Sequence, residues 1–228
     1  MHVDDPEQYL NATECIESDD PDIIVFASDA AGDARDDIET ACNIYYAVRD
    51  KIRYDPYCIE LTHSGLSAKN CLQNKVGFCV TKGALLAAAC RSVGIPARVG
   101  YADVRNHLVT GRLAKLMGTD LFVYHGYADL YLQERWVKAT PVFNLALCEK
   151  FRVLPLEFDG RNDSLFQPFN ADNRRHMEYV QYRGTHAEVP VAEIAQGFKD
   201  AYPTMFDGNR MLGIGDFDAE AEAERHGS

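Results

Sequence analysis

The stretch GFCVTKGALLAAACRSVGIPARVGYADV, residues 77–104, contains the strongest signals for the fold of this chain. Gly94 is followed two residues later by Pro96, an order that is typical of the end of a helix. The pattern therefore predicts a helix over about 78–93 and a strand over 97–104. Small and apolar side chains recur within the helical part at helical spacing: Ala84, Leu85, Ala88 and Ala89.

The residues before this stretch predict a second helix. Apolar side chains recur at steps of three and four over 35–52, which is typical of an amphipathic helix: Ile38, Ala41, Cys42, Tyr45, Val48 and Ile52. Residues 54–76 have the composition of a connecting segment with a turn at Gly65. The first 34 residues are acidic and irregular, and we interpret 1–34 as an N-terminal extension with one short apolar run, 23–26, that predicts a strand.

The residues after the stretch predict an antiparallel sheet. Two strand-like runs, 121–132 and 136–143, are separated by a tight turn at 133–135, which is a hairpin signal. A further helix is predicted around 191–198, and the charged end of the chain, 217–228, is expected to be a disordered tail. Helices followed by an antiparallel sheet indicate an α+β fold.

Composition excludes several classes of partner. The formal net charge is −12, so the surface repels phosphate backbones, and neither nucleic acid nor an anionic membrane is expected to bind. No run approaches the roughly 20 apolar residues of a membrane span. The N-terminus lacks the basic and then apolar order of a signal peptide, so we expect a cytoplasmic protein. No feature indicates an oligomeric state.

The seven cysteines are odd in number and form no C-x-x-C pair, which argues against zinc ribbons and thioredoxin-type sites. Phosphate-binding glycine loops and carboxylate-rich metal motifs are also missing from the sequence. We therefore expect no metal and no organic cofactor. Most of the cysteines are expected to be small buried residues in a reducing compartment.

Cys79 differs from the other cysteines because it lies in the first turn of the helix predicted over 78–93. Free backbone N–H groups and the positive end of the helix favour a thiolate there, and such settings lower a cysteine pKa from about 8.5 to roughly 3.5–7.5. The same N–H groups can bind the oxyanion formed when the sulfur attacks a carbonyl. The alternative interpretation is a buried structural cysteine.

A cysteine nucleophile needs a base, and His125 in the strand 121–132 is the candidate. If the hairpin loop has two residues, Thr140 and Asn144 become the same-face diagonal neighbours of His125, and either could accept a hydrogen bond from its imidazole. A three-residue loop would turn both side chains to the other face. His125 could also be an ordinary residue of the sheet.

Together these segments resemble the core of the transglutaminase-like superfamily of papain-like cysteine enzymes. The resemblance rests on G-x-C at 77–79, G-I-P-A-R at 94–98, HGYADLYL at 125–132 and WVKATPVF at 136–143. It covers roughly 35–145. It implies a papain-like α+β fold with Cys79 as nucleophile and His125 as base. Beyond the resemblance, we expect a C-terminal part, 146–216, to pack on the core.

The family usually places an aspartate after the W-x-x-x segment, where this chain has Thr140. We hypothesise that Thr140, helped by Asn144, orients His125, and the alternative is that Thr140 is only a strand residue. Gln73 lies six residues before Cys79, a spacing at which papain-like enzymes use a glutamine in the oxyanion hole. Gln73 is therefore a candidate for that role, with an exposed loop amide as the alternative.

The resemblance implies acyl transfer from a peptide or small amide through a thioester on Cys79. With water as acceptor the enzyme would be a peptidase, amidase or deamidase, and with an amine it would be a transferase. Bacterial and archaeal members of the family are more often hydrolytic, which favours hydrolysis. Two alternatives stay open: a binding module that lost activity, consistent with Thr140, and an arylamine-type acetyltransferase that uses the same cysteine and histidine chemistry.

Overall fold

The computed structural model of this chain describes residues 5–106, 109–165, 177–212 and 215–226. Within these ranges the chain forms eight α-helices, eight strands and a short 3-10 helix at Pro6–Leu10. The helices are α1 (Pro21–Ala31), α2 (Asp37–Lys51), α3 (Ala68–Asn74), α4 (Cys79–Ser92), α5 (Gly111–Met117), α6 (Leu145–Phe151), α7 (Val191–Ala201) and α8 (Phe217–His226). The strands are β1 (Arg53–Tyr54), β2 (Val76–Gly77), β3 (Ala97–Asn106), β4 (Leu121–Leu132), β5 (Arg135–Ala139), β6 (Met177–His186), β7 (Phe206–Asp207) and β8 (Arg210–Met211). In this part of the chain, every helix is too short or too polar to cross a membrane.

Helix α4 is the central helix, and every residue from its start to Arg91 is buried. The hydroxyl of Thr81 accepts the N–H of Phe78 at 3.0 Å, which satisfies a backbone donor at the helix start. The helix ends before Gly94, whose φ of +86° is the left-handed conformation that glycine adopts easily. The helix predicted over 78–93 is confirmed, and burial on all sides explains its lack of a single apolar stripe.

The main sheet is antiparallel with strand order β5-β4-β3-β6, and α4 packs against β4 and β3. The predicted hairpin is confirmed: Leu132 pairs with Arg135 across a two-residue turn. Gln133 and Glu134 both have positive φ, which matches the turn type that suits the twist of a hairpin. Pairing between β4 and β5 reaches Ala128 opposite Ala139 and ends there, so Thr140 lies just beyond the ladder.

A short parallel pair brings the end of α2 to the start of α4. Strand β1 follows α2, strand β2 precedes α4, and Tyr54 pairs with Gly77. Lys82 on α4 then donates to the carbonyl oxygens of Arg49 at 3.0 Å and Ile52 at 2.6 Å, at the C-terminal end of α2. A cation is favoured at that end of a helix, but burial lowers the pKa of Lys82 to about 7, so the two hydrogen bonds and not a full charge hold it there. Pairing with β1 and the contact of Lys82 with the end of α2 therefore both hold the backbone next to Cys79 in place.

The structure corrects three local predictions. Residues 23–26 are not a strand but part of α1, because Asp20 caps the helix through the N–H of Asp22 and Pro21 follows at its first position. The connecting segment 54–76 contains α3, which Ser67 caps. The expected disordered tail 217–228 begins instead with α8. Two of its acidic residues, Asp218 and Glu220, lie in the first turn, where the helix dipole favours them, and Phe217 and Ala221 are buried one turn apart.

A single hydrophobic core joins residues from the N-terminal to the C-terminal part. It includes Ile23 of α1, Ile194 and Phe198 of α7, and Phe217 of α8 together with the residues of α4. Residues of α1 within the predicted extension 1–34, among them Ile23 and Ala27, therefore contribute to this core. Helix α7, predicted around 191–198, is confirmed and contacts β4, the strand that contains His125.

Candidate active site

The sulfur of Cys79 lies where helix and sheet meet. Backbone N–H groups of Gly126, Val80 and Cys79 itself are close enough to the sulfur to favour its thiolate form. Two of them belong to the first turn of α4, and the third belongs to β4. The positive end of the helix therefore faces this thiol, as the sequence predicts.

Glycine allows β4 to touch the start of α4. A Cβ atom on Gly126 would lie 2.9 Å from the carbonyl oxygen of Cys79 and 3.0 Å from the Cα of Val80, so no side chain fits without a shift of backbone. One helical turn later, a Cβ atom on Gly83 would meet the backbone of Tyr127 only at 3.4 Å, an ordinary contact.

These distances predict opposite effects of alanine at the two glycines. Gly126→Ala should lower the free energy of unfolding by about 1–3 kcal/mol, because the helix must move away from the sheet at the thiol. Gly83→Ala is the matched control and should be neutral or stabilising by up to about 1 kcal/mol, because it removes a glycine from a helix. Urea unfolding of both variants measures the difference, and equal losses of stability would contradict this packing.

Cys79 and His125 line the same cavity. Most other wall residues are apolar, and five are aromatic: Tyr54, Phe78, Phe122, Phe198 and Tyr202. The free volume is about 40 Å³, which suffices for a few water molecules. Ligand pockets usually measure about 300–1,000 Å³. The structure therefore shows a closed site, and a substrate would have to displace wall side chains such as Leu113 and Met117 of α5.

Burial outweighs the helix end in setting the protonation state of the thiol. Cys79 is only 8% exposed, and burial raises its pKa to about 11, although the neighbouring N–H groups act in the opposite direction. The predicted lowering of this pKa is therefore wrong for the closed site. At neutral pH Cys79 is a thiol, and attack on a carbonyl requires a base to remove its proton.

The hydrogen bond predicted between Thr140 and His125 is not formed. Thr140 is buried, and within the described part of the chain its Oγ1 has no hydrogen-bond partner. Its carbonyl oxygen accepts from the Tyr45 hydroxyl at 3.2 Å. Asn144 is engaged elsewhere, because its Oδ1 accepts the backbone N–H of Tyr54 at 3.2 Å. Thr140, through its carbonyl oxygen, and Asn144, through its side chain, therefore each bind another part of the chain.

Thr140→Val tests whether the hydroxyl has any role. Valine has nearly the same shape and removes a buried unpaired hydroxyl, so the free energy of unfolding should stay equal or rise by about 1 kcal/mol. The rate of Cys79 alkylation should change less than twofold. A loss of tenfold or more with intact folding would show that Thr140 orients His125 in a conformation other than the closed one.

The model of the transglutaminase-like superfamily matches residues 25–141, which is half of the chain. The chain belongs to the transglutaminase-like superfamily. The match contains Cys79, His125 and Thr140, and it begins inside α1, so the family core extends further toward the N-terminus than the predicted boundary at 35.

Two solved structures are similar to this superfamily member. One is a "putative cysteine protease" from Cytophaga hutchinsonii, with 19% identity and a TM-score of 0.47, and the likeness covers 80% of this chain and 54% of that one. The other is a "putative protease" from Parabacteroides distasonis, with 15% identity and a TM-score of 0.38, covering 59% of this chain and 25% of that one. This chain therefore spans about half the length of the first and a quarter of the second. No curated protein matches the sequence.

The structure does not support Gln73 as an oxyanion residue of this family member. Gln73 lies on α3, is exposed, and lines a polar surface depression with Glu14, Lys69 and Asn70. Cys79 lines a different cavity. The six-residue spacing fails as a guide because α3 turns its C-terminal side chains outward before β2 leads into α4.

Asp129, which alternation places on the His125 face, serves another purpose. Its Oδ2 accepts from Arg98 Nε at 2.9 Å, and the Arg98 guanidinium stacks on Trp136 at 3.9 Å. Burial raises the pKa of Asp129, and Arg98 acts against that rise. In this chain Trp136, the first residue of the W-x-x-x segment, therefore packs against the ion pair of Arg98 and Asp129.

Several residues of the site have no signal in the sequence. Tyr54 and Tyr202 line the cavity from β1 and from the end of α7, 148 positions apart in the chain. Gly126 was detectable in principle, because a glycine beside a candidate base indicates close packing. Among the described residues, no group of three His, Cys, Asp or Glu side chains is placed to bind a metal ion.

Proposed function

We propose that this protein catalyses acyl transfer from an amide substrate through a thioester on Cys79, with water as the acyl acceptor. The observation that carries the proposal is the shared cavity. It contains the sulfur of Cys79, backbone N–H groups at the start of α4, and the side chain of His125. Nucleophile, base and oxyanion donors are the three components that cysteine-dependent acyl transfer needs.

The proposed reaction proceeds in two steps. His125 accepts the thiol proton of Cys79, the sulfur attacks the amide carbonyl, and backbone N–H groups at the helix start bind the oxyanion. The tetrahedral intermediate expels the amine, which takes the proton from His125, and a thioester remains. Water then attacks the thioester as His125 takes one of its protons, and the carboxylic acid leaves as the thiol is restored.

Burial of Cys79 is compatible with this cycle because the base acts at the moment of attack. A permanent thiolate would be unfavourable in this largely apolar cavity. A neutral thiol that shares its cavity with an imidazole avoids that cost until a carbonyl is present. The aromatic walls also favour substrates with an apolar group next to the scissile amide, since polar groups would lose hydration there without replacement hydrogen bonds.

The direct experiment is turnover of a panel of peptides and small apolar amides by the purified chain, with Cys79→Ala as control. Hydrolysis predicts release of both acid and amine. Added hydroxylamine should divert the acyl group to a hydroxamate, because an acceptor nucleophile competes with water for the thioester. Turnover that survives in Cys79→Ala, or that produces no hydroxamate, would contradict the thioester.

A catalytically weak binding module is the second candidate. It is favoured by one observation: Thr140 stands where the family has an aspartate, and its hydroxyl makes no hydrogen bond within the described residues. A binding module would still fold and close its cavity, but its Cys79 would show no reactivity beyond that of other buried thiols.

A further inference from the structure

The strand that contains His125 is bulged immediately before it. In the β3–β4 ladder Ala102 pairs with His125, whereas Val104 pairs with Phe122. Two residues of β4, Val123 and Tyr124, therefore lie opposite the single residue Asp103. Bulges of this kind are frequent next to active sites, where they redirect a side chain.

The second residue of this bulge has an unusual backbone conformation. Tyr124 has a φ of +51°, in the left-handed region that bulky residues rarely adopt. Such a conformation persists only when the surrounding structure holds it. Because Tyr124 directly precedes His125, its backbone angles decide the direction in which the imidazole leaves the strand.

Both backbone N–H groups of the bulge donate to side chains and not to the backbone of β3. The N–H of Tyr124 donates to Asp103 Oδ1 at 3.1 Å, and the N–H of Val123 donates to the Tyr202 hydroxyl at 2.8 Å. The Tyr202 hydroxyl in turn donates to the carbonyl oxygen of Leu121 at 2.9 Å. Asp103 is only 3% exposed.

Arg183 of β6 fixes the Asp103 carboxylate from the other side. Its Nε and Nη2 donate to Oδ1 at 3.0 Å and to Oδ2 at 2.6 Å, a two-point contact, and its guanidinium lies 4.9 Å from the centre of the Tyr124 ring. Arg183 is itself skipped in the β3–β6 register, because Tyr101 pairs with Gly184 and Ala102 pairs with Tyr182. The pairing of β3 with both of its neighbours, β4 and β6, therefore shifts register close to Asp103.

We propose that Asp103, held by Arg183, is a positioning residue that fixes the β4 bulge and thereby aims His125 at Cys79. The proposal deepens the function proposed above and rests on it. The Oγ1 of Thr140 makes no hydrogen bond within the described residues, whereas the backbone of Tyr124 directly determines the direction in which the imidazole leaves the strand. The Asp103–Arg183 ion pair on the neighbouring strands holds that backbone, with the Asp103 carboxylate buried and the Arg183 side chain partly exposed.

Alkylation of Cys79 by iodoacetamide tests this in the full chain. Asp103→Ala removes the acceptor of the Tyr124 N–H and should slow alkylation at pH 7 by about 10- to 100-fold, the usual effect of displacing a catalytic group by an ångström or so. Asp103→Asn keeps an acceptor for that N–H but loses the charged contact with Arg183, so it should slow alkylation less than Asp103→Ala. The matched control is Asp120→Asn, which breaks the exposed pair of Asp120 with Arg105 on the same sheet and should leave the rate unchanged.

The pH profile separates positioning from a general loss of structure. When His125 cannot act, alkylation should rise about tenfold per pH unit above neutrality, because only spontaneous ionisation supplies thiolate. Asp103→Ala should acquire that steep profile while its circular dichroism stays native, and Asp103→Asn, nearly the same in shape, provides the profile if the alanine variant does not fold. A flat, wild-type profile in the folded variants would overturn the proposal.

A parallel His125→Ala variant distinguishes the two possible failures. If His125→Ala slows alkylation and the Asp103 variants do not, positioning by Asp103 is wrong and the catalytic pair stands. If His125→Ala has no effect, the proposed function and the positioning role both fall.

Discussion

Iodoacetamide is expected to alkylate Cys79 about 10²–10⁴-fold more slowly at pH 7 after His125→Ala, the usual range for the loss of a general base. The reason is burial. With a pKa of about 11, the thiol alone is almost entirely protonated at neutral pH, so a nearby base must remove the proton during the reaction. His63→Ala is the matched control, because His63 is exposed and contacts Glu14 on another surface.

The pH dependence follows from the same pKa. Without His125, the thiolate fraction of Cys79 increases tenfold for each pH unit until about pH 11, so the rate should rise steeply across the alkaline range. With the base present, the rate should depend only weakly on pH above neutrality, because His125 removes the thiol proton during the attack. Identical profiles for the wild type and His125→Ala would show that the imidazole does not act on the thiol.

Amide turnover should fall below detection in Cys79→Ala, a loss of at least about 10⁴-fold, because the covalent step disappears. Cys71→Ala is the matched control. Cys71 is equally enclosed, and burial raises its pKa to about 11 as it does for Cys79, but Cys71 is not a wall residue of the cavity that contains His125. Turnover should survive in Cys71→Ala at temperatures where that variant is folded.

Equal losses in both cysteine variants would indicate a structural effect instead of chemistry. A turnover that persists in Cys79→Ala would remove this residue from the mechanism altogether. Neither outcome would support the proposed thioester, and the binding-module interpretation would gain support only if the wild-type chain also showed no turnover.

The sequence predicted those parts of the fold that depend on local pattern. Helix α4 and the β4–β5 hairpin were predictable because an end signal at Gly94 and a two-residue turn are encoded within a few positions. Helix α1 was misread because its β-branched residues, of which Val25 is 59% exposed, favour a strand in isolation. Packing of α1 against α2 and α4 overrides that preference.

The candidate site was predictable only in part. A family pattern points to Cys79 and His125, and the structure brings both to one cavity. The protonation state of the thiol could not be predicted, because it depends on how Tyr54, Phe198 and Tyr202 enclose the sulfur. These three residues are far apart in the sequence, and only the tertiary structure brings them together in one cavity.

The orientation of His125 could not be predicted from sequence for a related reason. Sequence spacing favoured Thr140, which assumes regular pairing up to that residue, but the β4–β5 ladder ends at Ala139. The bulge opposite Asp103 has no local sequence signal, because Tyr124 is neither a glycine nor an asparagine. A register shift of this kind results from contacts among β3, β4 and β6.

Competitive labelling of the seven cysteines with limiting iodoacetamide at pH 7, read by mass spectrometry of peptides, tests the central claim most directly. Cys42 and Cys58 are half-buried and therefore more accessible than the buried Cys79. If His125 activates the thiol, Cys79 should nevertheless be modified first, and this preference should vanish in His125→Ala. Modification of Cys42 and Cys58 first, with Cys79 as slow as Cys71, would contradict a catalytic pair of Cys79 and His125.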